Sequence, residues 1–592
     1  MPEMTRTHYC GELRLDDAGK SVRLTGWVSR RRDHGGVIFV DLRDRTGITQ
    51  VVFDPMIEPE AHSAAQAIRS EFVLNIKGKV RERGEGLTNP NLLTGEIEIA
   101  TDELEILNVA RTPPFAVEDD IDTAEEIRLK HRYVDLRRPK MQKMLQVRHK
   151  AALAARKYMD EQGFLEIETP ILMNSTPEGA RDVLVPSRHN PGEFYALPQS
   201  PQQFKQILMM SGVDRYFQIP RCFRDEDTRA DRQLEFTQLD LEMSFATVDD
   251  VLEVTEGLMK RMFEEAAGIP VPTPFPRIPY DESMARFGND KPDTRFEMEL
   301  SDLSDLVADC DFKVFTGALA NEGQVKGLAV PGGASLSRRE IDDLTEFVAI
   351  YRAKGLAWIK VTEEGAFESS IVKFFSEDTL KAVSGRMGAK PGDLMVFVAD
   401  RPKIVADALC NLRLHLGHKL NLIDENQFHF LWVVDYPLFD WDEVEQRYEP
   451  FHHLFTAPTD QSIPLLDTDP GKAQSQHYDL IINGTEICSG SVRIHRQEIQ
   501  QKVLEILKIK PEEAEQRFGY FVEALEYGTP PHAGIAPGLD RIVMLMTGEE
   551  NIREVIAFPK TQSGLCLLTG APSVVNDEQL EELSIRVDAV ED

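Results

Sequence analysis

The sequence predicts an α+β protein built from several domains. The chain has 592 residues, of which 28% are charged and 42% hydrophobic, and this length corresponds to roughly three to five domains. Short strand-like segments fill residues 1–108, a long helical stretch follows at 141–162, and residues 290–425 carry α/β signals of their own. These observations favour a small β-barrel, a larger mixed core and a domain inserted into that core.

Five segments within the first 108 residues alternate hydrophobic and polar residues as strands do. They are SVRLTGWVSRRR, GVIFVDLRD, ITQVVFD, FVLNIKGKVRER and GEIEIATDELEIL, with one helix near 58–70. Five strands of this kind fit the OB fold, a common oligonucleotide-binding module. We therefore predict an OB-fold domain over 1–110.

The rest of the chain divides at changes in composition. A proline pair and an acidic cluster in RTPPFAVEDDIDTAE predict a linker over 111–140. The helix at 141–162 is followed by Gly163, a residue suited to ending helices. We expect one core in two parts, 141–288 and 426–562, interrupted by an inserted α/β domain over 289–425 and followed by a C-terminal extension over 563–592.

Charge and composition exclude several classes of protein. Lys and Arg number 67 against 100 Asp and Glu, a net charge of −33, which argues against a non-specific nucleic-acid coat. Residues 1–53 nevertheless hold nine Lys or Arg and seven Asp or Glu, so a polyanion could bind there. No apolar run reaches the roughly 18 residues of a membrane span, and the first residues lack the apolar segment of a secretory signal. We expect a cytoplasmic protein.

The segment QLDLEMSF has the alternation of a strand with one polar face. Leu239, Leu241, Met243 and Phe245 share the apolar face, and Gln238, Asp240 and Glu242 share the other. The polar face is either solvated or the acidic wall of a pocket for a cationic group. The pattern alone leaves both interpretations open.

Two other pairs place a cation beside a polar partner. Arg224 and Glu226 in FRDED are two residues apart, so both would project to one side of a strand. An arginine there can stack on a base or bind a phosphate or carboxylate. Gln202 and Lys205 are three apart on a predicted helix and are therefore neighbours. Ordinary surface positions are the alternative in both cases.

The C-terminal third contains weaker signals. GLDR at 538–541 would place Arg541 at the start of a helix, which suits a phosphate. His452 and His453 should point to opposite sides of an extended chain, and a metal role for them is disfavoured because no Cys or HExxH pattern accompanies them. Asp479 and Glu486 offer the two carboxylates that Mg²⁺ near a nucleotide needs, although an exposed strand pair is the alternative.

Together these segments resemble the class II aminoacyl-tRNA synthetases, and most closely the bacterial-type aspartate enzymes. FLEIETPIL, ending near Pro170, is similar to motif 1, FRDED with EFTQLDLE to motif 2, and GIAPGLDR to motif 3. TPEGARDVLVPSR, ALPQSPQQFKQ, the FHH segment and NGTEICSGSVRIH are similar to segments of the aspartate enzyme. Cys488 and Ser489 depart from the pattern, since many relatives have glycines there.

This resemblance implies a fold and a reaction. The fold is an OB domain that reads the anticodon, a class II catalytic core of antiparallel sheet, and an insertion like that of the tRNA-dependent amidotransferase subunit. The reaction joins aspartate to ATP as aspartyl-adenylate and then transfers the aspartate to tRNA. Mg²⁺ as cofactor and a homodimer paired around motif 1 are also implied.

The resemblance further assigns roles to individual positions. Those implied for aspartate are Glu178, Gln202, Lys205, Arg224, Asp240, His452, His453 and Arg493. Those implied for ATP are Arg224, Asp225, Glu226, Gln233, Glu486, Gly538, Leu539, Asp540 and Arg541, with catalytic roles for Arg224, Glu226 and Arg541. The implied Mg²⁺ ligands are Asp479 and Glu486.

The implied tRNA contacts lie in the barrel. Phe39 would stack on anticodon bases, Gln50 would read a base edge, and Arg30, Arg31 and Arg32 would contact phosphates. A barrel-core position is the alternative for Phe39. His34 follows RRRD where discriminating relatives typically have leucine, and Gly86 in RGEGLTNPN resembles the non-discriminating subgroup. These two positions predict charging of both tRNA-Asp and tRNA-Asn.

Three other functions remain to be weighed. The first is an aspartate enzyme that charges tRNA-Asp only. The second is an OB-fold RNA-binding protein whose synthetase-like core has lost catalysis. The third is a sister synthetase for asparagine or lysine, and a lysine substrate would be repelled by Lys205 and Arg493.

Overall fold

The computed structural model describes residues 5–175 and 180–588, and the chain forms two compact units. The first unit contains the chain up to residue 150, together with 227–234 and 543–580. The second contains 151–226, 235–542 and the residues from 581 onward. Within the described ranges, every helix is too short or too polar to cross a membrane.

A closed five-stranded barrel confirms the predicted OB fold. Its strands pair in the order β1-β2-β3-β5-β4, with β3 and β5 parallel and the other pairs antiparallel. The bounds are β1 Ser21–His34, β2 Val37–Asp44, β3 Gly47–Phe53, β4 Val73–Glu82 and β5 Ile97–Asn108, with helix α1 Pro59–Ala65 between β3 and β4. Alternate residues such as Ile38, Val40 and Leu42 fill the core.

Helices follow the barrel in the sequence. α2 Glu125–Lys130 and α3 Arg132–Asp135 belong to the first unit, and α4 Pro139–Glu161 is divided between the two units after residue 150. α4 confirms the helix predicted at 141–162, and Gly163 after it has a left-handed φ of +77°. The predicted linker over 111–140 is not wholly extended, because it contains α2 and α3 and the buried ion pair of Arg132 and Asp135 at 2.5 Å.

An eight-stranded, mostly antiparallel sheet forms the centre of the second unit. Its order is β13-β19-β22-β23-β24-β12-β9-β6; within this sheet the described pairs β13–β19 and β6–β9 are parallel and the others are antiparallel. The strands are β6 Leu165–Glu166, β9 Arg215–Gln218, β12 Asp240–Ser244, β13 Arg277–Pro279, β19 Phe430–Val434, β22 His477–Ile482, β23 Thr485–Val492 and β24 His532–Ile535. This is the predicted antiparallel core.

Helices and short two-stranded ribbons accompany this sheet. Outside the stretch 289–425, the helices wholly within the second unit are α5 Gln202–Met210, α6 Val248–Ala267, α7 Tyr280–Phe287, α12 Leu465–Thr468, α13 Gln497–Ile506 and α14 Pro511–Ala524, whereas α15 Leu539–Thr547 and α16 Asp577–Glu582 are each divided between the two units. The ribbons pair β7 Leu184–Pro186 with β8 Phe194–Ala196, β10 Arg221–Phe223 with β11 Glu235–Thr237, and β20 Phe439–Asp442 with β21 Arg447–Pro450.

A separate five-stranded sheet occupies the stretch predicted as an insertion. Its order is β14-β15-β18-β16-β17. The strands are β14 Ser301–Asp302, β15 Gln324–Val330, β16 Ala357–Val361, β17 Phe367–Glu368 and β18 Leu394–Asp400, and the helices are α8 Lys313–Leu319, α9 Arg338–Ala349, α10 Glu377–Met387 and α11 Pro402–Lys419. Two hydrophobic clusters, one on each face of this sheet, supply a core of its own.

Candidate active site

The polar face of β12 is buried, which excludes the solvated interpretation. β12 lies between β24 and β9 in the middle of the sheet. Asp240 and Glu242 are fully buried, as are Leu241 and Met243 on the other face. Two carboxylates in such a place are tolerated only where cations or hydrogen-bond donors compensate them.

Two buried cations compensate these carboxylates. Lys205 on α5 places Nζ 2.7 Å from Asp240 Oδ1 and 3.2 Å from Glu242 Oε2. Arg493 donates from Nε to Glu242 Oε1 at 2.9 Å and from Nη2 to Glu242 Oε2 at 3.1 Å. All four side chains are inaccessible to solvent or nearly so. We call this set the charge cluster.

The cluster sets the pKa values of its members in opposite directions. Burial alone would raise the pKa of Glu242, but Arg493 and Lys205 outweigh it and lower that pKa to about 2. Burial outweighs Lys205 at Asp240, whose pKa is raised. Gly534 lies opposite Glu242 on β24, and a Cβ there would come within 1.9 Å of Glu242 Oε2. Only glycine leaves room for this carboxylate.

His453 connects the cluster to the FHH segment. Arg493 donates from Nη1 to His453 Nε2 at 2.7 Å, and the Phe455 amide donates to His453 Nδ1 at 3.1 Å. Burial and then Arg493 hold the pKa of His453 well below its usual value, so the ring is neutral and has one acceptor nitrogen. It cannot satisfy both donors.

The sequence predicted that the ring of His452 points away from that of His453, and this prediction is wrong. The segment around His452 and His453 is not extended, and the two imidazole centroids lie 4.3 Å apart. The ring of His452 also stacks on that of His477 at 4.3 Å and 7°. Burial, then His453, lowers the pKa of His452 well below its usual value. The histidines therefore form one stack rather than two separate faces.

Asp479 and Glu486 lie on the paired strands β22 and β23. Asp479 accepts hydrogen bonds from Tyr436 Oη at 2.9 Å and His477 Nε2 at 2.7 Å. Burial opposes the charge of Asp479, but His477 and other donors outweigh it and lower its pKa. Burial and then the charge of Asp479 raise the pKa of Glu486. Negative charge here is only partly compensated, which favours a cation.

The start of α15 lies against β23. Arg541 donates from Nη1 to the carbonyl oxygen of Glu486 at 2.9 Å, and its charge acts to lower the pKa of the Glu486 carboxyl against the larger effect of burial. The preceding residues, Leu539 and Asp540, are buried, and the Thr237 amide donates to Asp540 Oδ2 at 2.7 Å. The predicted helix start is confirmed, with α15 beginning one residue after Gly538.

The motif 2 segment differs from the sequence prediction. Strand β10 ends at Phe223, so Arg224 and Glu226 do not share a face by strand alternation. Arg224 instead lies over the ring of Phe236, 5.0 Å from its centroid, and both it and Glu226 are half-buried, whereas Asp225 is exposed. Phe245, predicted on the apolar face of β12, is 74% exposed, because its φ of +55° turns the chain after the strand.

Three further predicted positions stand apart or are only partly defined. Glu178 lies outside the described residues. Gln202 is buried at the start of α5, and its Nε2 has no hydrogen-bond partner among the residues described. Gln233 belongs to the first unit, where its Oε1 accepts from the Lys560 amide at 2.8 Å. Its role in ATP binding stays a prediction.

The predicted tRNA residues occupy the outside of the barrel. Phe39 is half-buried between the core residues Ile38 and Val40 and is not part of the core, so the core alternative is wrong. Gln50 accepts from Arg32 Nη2 at 3.1 Å and donates to Glu98 Oε2 at 2.8 Å. Reading a base edge would require Gln50 to exchange these partners.

The remaining predicted tRNA positions lie at a basic cavity or at turns of the chain. Arg30 and Arg31 line a cavity of about 460 Å³ together with Arg69, which the sequence did not single out. His34 is exposed at the end of β1, where Gly35 and Gly36 form a two-residue turn with φ of +60° and +84°. Gly86, also exposed, has a φ of +78°.

Sequence reasoning missed three residues of the site. Glu242 lies two residues after Asp240 and therefore on the same face of the strand. This pattern could have assigned a role to Glu242 as well as to Asp240. His477 and Ser489 gave no signal, because their importance depends on strand pairing. Ser489 lies opposite Asp479 on the neighbouring strand.

The fold is that of a class II tRNA synthetase. The family model described as tRNA synthetases class II (D, K and N) matches residues 124–562, and the OB-fold nucleic acid binding domain matches 22–107. The chain therefore belongs to the class II tRNA synthetases.

Within that class the similarity is to one kind of enzyme. The chain is 56% identical to the aspartate–tRNA(Asp/Asn) ligase of Desulfosudis oleivorans over 99% of this chain and 98% of the relative. It is 56% identical to the protein of that name from Anoxybacillus flavithermus, over 99% of both chains.

Two solved structures share the fold at low identity. The asparaginyl-tRNA synthetase of Pyrococcus horikoshii in complex with asparaginyl-adenylate gives a TM-score of 0.60 at 18% identity, covering 95% of this chain and 99% of that one. The aspartyl tRNA synthetase of Entamoeba histolytica gives 0.57 at 19%, covering 94% and 91%.

Proposed function

We propose that this synthetase activates L-aspartate with ATP and transfers it to both tRNA-Asp and tRNA-Asn. The charge cluster carries the proposal, because it puts two cations and an acidic wall together at one buried place. Aspartate has two carboxylates and one ammonium, and this arrangement complements that set of charges. The names of the relatives at 54–56% identity support the same activity.

The cluster would recognise aspartate through its two cations. Lys205 and Arg493 bind the side-chain carboxylate, while His453 keeps its contact with Arg493 Nη1. Asp240 faces the ammonium, and the unpartnered Nε2 of Gln202 orients the substrate. An asparagine amide would turn N–H groups toward two donors, and a lysine would meet two cations. These sister substrates are therefore disfavoured.

The chemistry needs positioning and charge rather than a protein nucleophile. The substrate α-carboxylate oxygen attacks the α-phosphorus, and pyrophosphate leaves. Arg224 neutralises charge at the α-phosphate and Arg541 at the γ-phosphate, with Asp225 and Glu226 orienting the nucleotide. A terminal ribose hydroxyl of the tRNA then attacks the aspartyl carbonyl and AMP leaves.

Asp479 and Glu486 are the residues that would hold a divalent cation, Mg²⁺ in this proposal. The raised pKa of Glu486 supports this pair as ligands. The negative charge of Asp479 contributes to that raised pKa, and a bound cation would compensate this charge. Within the described part of the chain no group of three or more His, Cys, Asp or Glu side chains could hold a metal, which suits an ion shared with ATP phosphates. When bound, the ion withdraws charge from those phosphates.

The proposal is tested by ATP–pyrophosphate exchange with aspartate, asparagine or lysine as the amino acid. We expect exchange with aspartate alone. No exchange with any of the three would favour the non-catalytic RNA-binding alternative, and preference for asparagine or lysine would favour a sister synthetase.

We expect the enzyme to charge tRNA-Asp and tRNA-Asn transcripts, and His34→Leu to shift preference toward tRNA-Asp. The two anticodons differ by one pyrimidine, where cytosine offers a donor and uracil an acceptor. The exposed His34 can donate and accept, so it tolerates both. Loss of one hydrogen bond predicts roughly a 3- to 10-fold change in the ratio of kcat/KM values. Wild-type charging of tRNA-Asn no faster than an unrelated tRNA would favour the discriminating alternative.

Phe39→Ala should weaken tRNA charging about 5- to 100-fold, the usual range for one stacked base, and leave exchange unchanged. The half-buried ring is outside the core, so its removal should not unfold the barrel. Phe39→Leu keeps an apolar side chain but removes the ring, so it separates stacking from apolar contact. The control is Val109→Ala, at an exposed residue just after β5. Equal loss of charging and exchange would mean that the residue is structural.

The proposal also includes a cytoplasmic homodimer paired through the 141–170 region. Leu153 and Leu165 are 42% and 56% exposed in this stretch, and pairing would bury this apolar surface. Sedimentation at micromolar concentration gives the mass directly. A fully active monomer would contradict the pairing.

A further inference from the structure

Ser489 occupies a junction between the two halves of the site. Its Oγ lies 2.8 Å from His477 Nε2 and 3.1 Å from His452 Nε2. His477 Nε2 also contacts Asp479 Oδ1 at 2.7 Å. The His452 ring lies against that of His453, which accepts from Arg493. A continuous set of contacts thus runs from Asp479 to the arginine of the charge cluster.

Hydrogen-bonding capacity limits where the protons in this chain can lie. Asp479 can only accept, so the proton of His477 Nε2 points toward it and is shared with Ser489 Oγ. The Ser489 hydroxyl has one proton, which it gives either to Asp479 or to His452 Nε2. In the first case His452 Nε2 donates to Ser489 Oγ, and in the second the neutral His452 donates from Nδ1 to Thr456 Oγ1 at 3.3 Å. Nδ1 of His477 has no hydrogen-bond partner among the described residues, which agrees with Nε2 as the protonated nitrogen.

We propose that Ser489 and His477 are positioning residues that hold His452, and through it His453, in the orientation that presents Arg493 to the amino acid. The inference rests on the proposed aspartate function. Without the Ser489 hydroxyl, His452 loses the bond that fixes its tautomer and ring plane. His453 then loses its stacked neighbour, and the Arg493 side chain is less well oriented.

The Ser489 hydroxyl affects the binding of aspartate and not the stability of the fold. The side chain is half-buried and lies outside the apolar core, on the strand that also carries Glu486 and that ends one residue before Arg493. An alanine there would leave no large cavity. The hydroxyl is therefore the only group that the change removes, and its effect should appear in aspartate affinity.

Ser489→Ala should raise KM for aspartate about 3- to 10-fold, which corresponds to one net hydrogen bond, with kcat and KM for ATP within about twofold of wild type. Calorimetric binding of aspartate without ATP or Mg²⁺ should weaken by the same factor, so the result does not depend on the metal. Ser489→Thr keeps the hydroxyl in a strand position that accepts β-branched residues and should restore both values. Ser384→Ala, on α10 of the insertion, is the matched control.

A double-mutant cycle with His477→Phe tests whether the two residues act together. Phenylalanine keeps a ring to stack on His452 but removes Nε2, so the combined loss of aspartate binding should be smaller than the sum of the single losses. Additive losses, an unchanged aspartate KM in Ser489→Ala, an equal rise in KM for ATP, or no rescue by threonine would each overturn the inference. A wild type without aspartate-dependent exchange would refute the proposed function instead.

Discussion

Arg493→Leu and Lys205→Met are each expected to reduce kcat/KM for aspartate in exchange by about 30- to 1000-fold. Each variant removes a charge-assisted bond to the substrate carboxylate, worth roughly 2–4 kcal/mol in a closed pocket. Both cations are almost fully buried, so water cannot easily replace the lost bond. The measurement is pyrophosphate exchange with varied aspartate at saturating ATP.

The structure adds a complication to these variants, because each cation also compensates Asp240 or Glu242. We therefore expect some loss of stability, and thermal unfolding must accompany the kinetics. Arg493→Lys keeps the charge but not the two-pronged contact with Glu242, so it should fold and still bind aspartate more weakly. Lys260→Met and Arg339→Leu, at exposed positions, control for charge removal. Near-normal exchange by Arg493→Leu would refute the pocket assignment.

Local sequence patterns predicted the helices and strands well, because the formation of a helix or strand depends on neighbouring residues. The alternation in β2 predicted the barrel core, and the length and terminal glycine of 141–162 predicted α4. The spacing of Asp240 and Glu242 likewise predicted one shared face. The partner of Glu242, however, is Arg493, 251 residues later in the chain. That pairing depends on the order β23-β24-β12, which no local period encodes.

The failures have local causes that the patterns do not contain. Alternation assumes that a strand continues, but φ becomes +55° at Phe245 and β10 ends before Arg224. The two histidines were expected on opposite sides because an extended chain was assumed, and the turn after Phe451 brings their rings together instead. The contacts of Ser489 and His477 depend on strand pairing. Local patterns could not predict them, just as they could not predict the Glu242–Arg493 pair.

Glu242→Gln is expected to lower the free energy of unfolding by about 3–5 kcal/mol, the range for breaking one side of a buried ion pair. Glutamine is nearly isosteric, so the effect is electrostatic rather than a matter of volume. Lys205 and Arg493 would be left facing each other with only Asp240 between them as a counter-charge. Denaturant unfolding at neutral pH measures the change, and Glu264→Gln, at an exposed position on α6, is the control.

The pH dependence distinguishes this electrostatic role from packing. The folded pKa of Glu242 is lowered to about 2, below its unfolded value near 4.3, so its ionised form stabilises the fold above the unfolded pKa. That contribution is lost as pH falls from about 4.3 toward 2, because protonation then costs the folded state more than the unfolded one. The difference between wild type and Glu242→Gln should therefore be constant from pH 6 to 8 and shrink below about pH 4.3. A difference that stays the same at acid pH would show that glutamine acts by disturbing packing around Gly534 and not by removing charge.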